Sequence, residues 1–289
     1  MLRVYIGFHI LYKYLSIWPY IDTLFSNDSF ARYAPESIIY GFIPSRLFLE
    51  HDILFFWAYL SLVSLMILGV GKRGVVFGVF MFTVFSQKLN GYWLDGGDNL
   101  LKLSLFYLSW ADSFQCLALV RSKIIRISLV NCCSKLAVAS LMLQLALTYS
   151  SSGLTKVHTS TWYSGYGLYY SMINERFATS YLSFKLVQFP LVAIAGNYFV
   201  MFWELTFGIL VWFRRTRYVV LLLGVFLHLG IFLFMGIRSF ALLFIASYII
   251  FLDDETLRGM QNSLMRLIDY LCSFYPTIVC NQNPLKKAQ

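Results

Sequence analysis

The sequence predicts an all-α polytopic membrane protein of about eight transmembrane helices with both termini cytoplasmic. Three observations predict it. Hydrophobic residues make up 59% of the 289 and charged residues only 13%, with a mean hydropathy of +0.67. A soluble domain carries about 25% charged residues, and charge is what a bilayer cannot solvate. The apolar residues are gathered in eight runs, near 4–24, 53–71, 74–93, 99–115, 136–152, 190–213, 218–236 and 239–252. Crossing a bilayer takes about 20 such residues. Finally, the basic residues fall in alternate connections between the runs.

The first run follows Arg3 and ends at Trp18-Pro19-Tyr20 with no small-residue cleavage site, so it is expected to be a retained span. The next connections carry Lys72-Arg73, then Arg121, Lys123 and Arg126, then Arg214, Arg215 and Arg217. Arg3 and the tail residues Arg258, Arg266, Lys286 and Lys287 join that side. The opposite connections hold Asp28, Glu36, Glu50 and Asp52, then Asp95 and Asp98, then Glu175 facing Arg176. The positive-inside rule therefore places 25–52, 94–98 and 153–189 outside. Trp18, Trp57, Trp93 and Trp162 fall at outer ends, and Trp110 and Trp212 at inner ends, as interfacial belts require. The last run is short and has to pack obliquely or thin the bilayer. Residues 1–252 are expected to form one membrane domain, and 253–289 a cytoplasmic amphipathic tail centred on 257–280. The net charge of +9 is dispersed between apolar runs, which suits loops lying on anionic lipid rather than nucleic acid. The cysteines (Cys116, Cys132, Cys133, Cys272 and Cys280) have no metal-binding spacing, so they are expected to be packed or free thiols and no metal site is expected.

Three constellations could carry chemistry. In Asn90-Gly-Tyr-Trp-Leu-Asp-Gly-Gly-Asp-Asn99, Gly96-Gly97 is expected to make a turn, and Asp98 to cap the following helix. Asp98 and Lys102 share a helix face, either as a local ion pair or as the lining of an outward polar cavity. In Ser150-Ser-Ser-Gly-Leu-Thr-Lys156, with Trp162 and Gly165 beyond, a span is expected to end and an outer loop to begin. Lys156 there is either an edge lysine reaching for the interface or a functional amine. Burial disfavours the charged form of an amine, and a neutral amine can act as a base. The third pairs Glu204 with His228, each placed about 15 Å from the inner face at 1.5 Å per residue, on helices that can be antiparallel neighbours. The pair is either a structural hydrogen bond or a proton relay. Lys13 and Lys88 are also within apolar runs, and with Gln87 and Gln144 they indicate a polar interior. Phosphate-loop, zinc-protease and serine-hydrolase motifs are lacking, which argues against an ATP-driven pump or a common membrane protease.

Four blocks, in order, resemble the horizontally transferred transmembrane (HTTM) family, whose members are related to vitamin K-dependent gamma-carboxylases. They are Arg3-Val-Tyr-Ile-Gly7; Leu94-Asp-Gly-Gly-Asp-Asn-Leu-Leu101; Ser152-Gly-Leu-Thr-Lys156 with Trp162-Tyr-Ser-Gly165; and Phe226-Leu-His-Leu-Gly230 with Met235-Gly-Ile-Arg-Ser-Phe240. Within that superfamily the chain is most similar to the sporulation-delaying protein B (SdpB) family. This resemblance implies a bacterial inner-membrane protein that helps mature or export a secreted antimicrobial peptide toxin, together with a small partner protein. The carboxylase relationship implies a reduced quinone as cofactor and Lys156 as the base that deprotonates it. Asp98 falls near the position of a carboxylase histidine, and His228 matches a histidine of the penultimate family block. The large extracytoplasmic region with which carboxylases hold their peptide is lacking, which argues against glutamate carboxylation. The expected site therefore has Lys156, Asp98 and His228 as catalytic groups and Lys102, Glu204, Trp162 and Lys88 around the cavity. The alternatives are a quinone-linked membrane carboxylase or oxidoreductase, and a transporter or immunity protein without chemistry.

Overall fold

The computed structural model describes residues 1–25, 52–89, 93–115, 117–120, 128–174, 181–260, 262, 263 and 266. The chain divides into two compact units, Met1–Ile250 and Phe251–Gln289. All regular structure among the described residues is helical, and each of the eight apolar runs contains a long helix. These are α1 (Leu2–Ile17), α2 (Asp52–Leu68), α3 (Lys72–Leu89) and α4 (Gly96–Trp110). They continue as α5 (Ser128–His158), α6 (Pro190–Leu210), α7 (Arg214–Gly230) and α8 (Arg238–Ser247). Among the described residues, three helical segments are long and apolar enough to cross a membrane: Leu129–His158, Pro190–Leu210 and Arg214–Met235. The protein is all-α and membrane-like.

Local chemistry sets the helix ends. Pro190 opens α6, where its ring fixes φ and its missing N–H is not needed. Asp95 caps α4 by accepting the Gly97 N–H at 2.7 Å, while Asp98 accepts the Asp95 N–H at 2.7 Å. This reciprocal box satisfies N–H groups that a helix start leaves unpaired. Gly96 and Gly97 are thus in the first turn of α4, not in a free turn before it. α5 continues to His158 instead of ending near residue 152, and its Thr148 and Thr155 hydroxyls bond back to the helix and replace no rung of it. Thr155 Oγ1, for one, donates to the Ser151 carbonyl at 2.9 Å. α7 is prolonged by a π-helical turn, Ile231–Met235. The expected outer loop 153–189 holds three short helices, Ser160–Tyr163, Gly167–Ile173 and Tyr181–Val187.

Within the first unit the helices pack in sequence. α1 lies on α2, α2 on α3, α3 on α4, α4 on α5, α5 on α6, α6 on α7 and α7 on α8. α8 also touches α1 and α4, which closes the ring. Its Ala241, Leu243 and Phe244 are buried, as are Ile6 and Ile10 of α1 and Leu101 and Leu105 of α4. Leu136, Leu191, Phe202, Val219 and Phe226 are exposed. Large apolar side chains on outer helix faces are what hydrocarbon solvates best. Two hydroxyl pairs, Tyr14 with Ser86 and Tyr59 with Thr83, join α1 and α2 to α3.

α5 and α6 make the most intimate contact. Gly153 permits it: a Cβ there would lie 2.8 Å from the Leu205 backbone nitrogen. Close helix approach through small residues is the usual way membrane helices associate.

In the second unit, residues 254–260 are helical, and Asp253 Oδ1 accepts the Thr256 N–H at 3.1 Å. The remaining expectations for 257–280 lie largely outside the described residues, as do 25–51 apart from Phe25, Asn90–Tyr92, Arg121–Arg126 and Glu175–Arg176. Cys132 and Cys133 are free thiols, and Cys116, Cys272 and Cys280 lie outside the described residues.

Gly153→Leu is expected to push α6 away and destabilise the protein by about 1–3 kcal/mol. Thermal unfolding in detergent measures this. Gly74→Ala is the control, because nothing lies within 4 Å of a Cβ at Gly74. It should not lower the midpoint.

Candidate functional site

The site is built on the last two turns of α5. Ser152 and Lys156 are one turn apart and share a face. Lys156 Nζ donates to Ser152 Oγ at 2.7 Å and to Glu204 Oε1 and Oε2 of α6 at 2.9 and 2.7 Å. An ammonium has three hydrogens, so these contacts use all of its donors. Trp162 lies over the amine, 5.0 Å from Nζ to the ring centroid, a favourable cation–π distance. The two side chains keep 18% and 11% of their surface, so the pair is largely desolvated yet reachable.

The segment carrying Trp162 is pinned to α6. Asn197 Nδ2 donates to the Trp162 carbonyl at 2.9 Å, and Asn197 Oδ1 accepts the Leu168 N–H at 3.1 Å. Tyr198 OH donates to the Tyr163 carbonyl at 2.9 Å. Gly165 supplies the reversal at φ +89°, a region side chains disfavour. This clamp holds the Trp162 ring over Lys156.

The pair stands between two cavities. One, of about 400 Å³, is walled by apolar groups such as Met172, Phe199, Phe226 and Phe234. The other, of about 780 Å³, runs along α5 past Gln144, Thr148, Ser151 and Thr155 to Asn99 of α4. Ser152, Lys156 and Trp162 line both. Glu204 lines the apolar one.

His228 is buried one layer deeper. Its Nε2 is 2.7 Å from Tyr149 OH, which is 2.7 Å from Tyr248 OH. Its ring stacks on Phe244 at 5.0 Å, and its Nδ1 has no hydrogen-bond partner among the described residues. The expected Glu204–His228 pair does not form. Glu204 turns to the cation on α5, where a full opposite charge outcompetes a neutral imidazole, and His228 takes a hydroxyl.

Asp98 belongs to a different cluster. Lys13 Nζ of α1 donates to both of its carboxylate oxygens at 2.6 Å, and Gln87 Nε2 of α3 donates at 3.3 Å. Lys13 also lies 4.8 Å from the centroid of Trp93. Both ions are buried, at 8% and 3% exposure. The expected pairing of Asp98 with Lys102 is therefore replaced by a contact between helices. Lys102 is half-buried on α4, and Lys88 is exposed in the last turn of α3. Neither lines the cavities beside Lys156. Lys13, Asp95, Trp93 and Arg238 line a third cavity of about 1000 Å³.

Of the residues expected to form the site, Lys156, Glu204 and Trp162 come together. Sequence reasoning missed Ser152, although its spacing of four from Lys156 was a usable signal. It also missed Asn197, a lone carboxamide in the apolar run of α6. Tyr149 and Tyr248 carried no signal, since tyrosine is common throughout the chain.

A sequence model described as the HTTM domain matches residues 98–255, more than half of the chain. The match begins at Asp98 and includes Lys156, Glu204 and His228; α1 and Lys13 precede it. No curated protein and no solved structure matches the chain.

Asp98→Ala is expected to cost about 3–5 kcal/mol, because it strands the buried Lys13 charge. The double variant Lys13→Met/Asp98→Leu should recover most of that loss, as read from unfolding midpoints in detergent. If Asp98 is structural, the double variant also keeps function; loss of function in a fully folded double variant would make Asp98 a catalytic group.

Proposed function

The protein belongs to the HTTM family, and on that premise we propose that it is a bacterial inner-membrane protein assisting maturation or export of a secreted antimicrobial peptide toxin. Its partners are the toxin precursor and a small protein of the same system. Eight spans with both termini cytoplasmic put the Lys156 site at the outer face. The observation that carries the proposal is the Lys156–Glu204 pair, desolvated but reachable, at the junction of a polar groove and an apolar cavity. An ion pair kept only for stability gains nothing from facing two cavities, and a buried pair is weak evidence of stability in any case. Ionisable groups within membrane helices mark sites of function.

Within this reading Lys156 exchanges a proton with whatever occupies the groove. Glu204 contacts it through both carboxylate oxygens and is the group that takes or returns that proton. Ser152 and Trp162 orient the amine. His228 fixes Tyr149 beneath the pair, and Asp98 acts at a distance by tying α4 to α1.

The apolar cavity favours a second reading, a quinone-linked carboxylase or oxidoreductase. Its volume lies within the usual range of about 300–1,000 Å³ for small-molecule sites. Phe226 and Phe234 would pack the ring, and Ser152 and Lys156 would hold its polar edge. When bound, such a ring supplies redox chemistry that these side chains lack.

Mass spectrometry of the secreted peptide tests the proposal in a host carrying the toxin precursor with wild-type protein or Lys156→Ala. The variant should insert normally and lose active peptide. A mass difference beyond precursor cleavage identifies covalent chemistry. Identical peptides in equal amounts remove Lys156 from the function and favour transport or immunity without chemistry. A quinone copurifying with the wild type favours the second reading.

A further inference from the structure

A group reaching the Lys156–Glu204 pair meets a positive and a negative charge 2.7 Å apart. Among the described residues, the neutral partner that it can displace from Lys156 without stranding a charge is the Ser152 hydroxyl. An anionic head that took this place would bring a second negative charge against Glu204. A cationic head would be set against Lys156. In a site this poorly solvated, each such encounter is unfavourable.

A neutral group with one acceptor and one donor close together meets neither penalty. Its acceptor replaces Ser152 on the ammonium. Its donor goes to a carboxylate oxygen of Glu204, which has lone pairs to spare. One residue of an extended peptide is such a group, because its own N–H and C=O point to the same side, whereas those of a single trans amide point oppositely. The groove has the same bias: Thr148 and Thr155 donate their hydroxyl hydrogens to the carbonyls of Gln144 and Ser151, at 2.8 and 2.9 Å. They therefore present acceptor oxygens to the groove, which suits the N–H groups of a chain lying along it.

We propose that the Lys156–Glu204 pair recognises the N–H and C=O of one extended peptide residue beside a large apolar side chain. The side chain enters the cavity of about 400 Å³, and the rest of the peptide follows the polar groove. This names the substrate class of the site and rests on the peptide reading above.

The test compares three probes of equal alkyl chain length on the purified protein in nonionic detergent: N-dodecanoylglycine methylamide, dodecanoate and dodecylamine. The amide should bind at least about tenfold more tightly than either ion, or about 1.4 kcal/mol. Glu204→Gln should move the preference to dodecanoate, and Lys156→Gln to dodecylamine. The exchange variant Lys156→Glu/Glu204→Lys should restore the amide preference. Equal affinities for the three probes, or an order that these variants leave unchanged, overturn the proposal. Tighter binding of a decyl-substituted benzoquinol than of the amide also overturns it. If a variant does not elute as a single species, the wild-type order alone decides. Amide preference together with an unaltered secreted peptide would leave the recognition standing and sink the maturation reading, so the two failures are separable.

Discussion

A lysine buried between apolar helices needs a carboxylate beside it, and among the described residues this fold has two such meetings. Lys13 of α1 meets Asp98 of α4, and Lys156 of α5 meets Glu204 of α6. Each lysine lies under a tryptophan, Trp93 or Trp162. The chemistry is alike, but the solvation differs. The first pair is the more enclosed: Lys13 lines a cavity but Asp98 does not, and Asp98 is held also by Gln87 and by the cap of α4. The second keeps a part of its surface and faces two cavities. A closed pair fixes how two helices sit, whereas a reachable one can exchange partners. That difference in access, more than the identity of the residues, separates a strut from a site.

The helices were legible in the sequence because they depend on composition and local rules. Apolar runs marked where they lie, although α4 begins before Asp98: Asp95 is its cap and Asp98 lies in its first turn. The pairings were much less legible. The Lys13–Asp98 partners are 85 residues apart, and Lys156–Glu204 are 48 apart. Local spacing favoured Lys102 as the partner of Asp98, since residues four apart on a helix are neighbours. Which face of α4 turns inward, however, is set by how α1, α3 and α8 pack on it. Depth along the helices favoured His228 as the partner of Glu204. Depth gives a height in the membrane but no direction around the helix axis. Glu204 points to α5, and the reason lies in a residue with no side chain: Gly153 lets the two backbones close until the carboxylate reaches Lys156.

An error about one helix end had a similar origin. The run Ser150-Ser-Ser-Gly153 looks like loop sequence, and α5 was expected to stop there. The helix nevertheless runs on, with Ser152 turned to Lys156 and Gly153 packed against α6, so the run serves a contact between helices. Because α5 continues, Lys156 is held by a rigid element and not by a loop. Trp162 is on the segment that follows, and Asn197 supplies the rigidity that segment lacks. One carboxamide accepts one backbone N–H and donates to one backbone carbonyl, so loop and helix are tied through two polar groups that each needed a partner.

The remaining polar core follows the same logic of satisfaction. His228, Tyr149 and Tyr248 form a chain of hydrogen bonds among Phe207, Phe244 and Trp203. Such a chain is neutral, so it can be buried without a counter-charge, which leaves Lys156 and Glu204 to each other. If His228 were charged, the nearby carboxylate would have two cations to serve, and the pair at the cavity junction would loosen. A neutral layer beneath the pair therefore keeps the opposite charges matched one to one. Among the described residues, the charged groups that line the apolar cavity and the groove are Lys156 and Glu204, whose charges sum to zero.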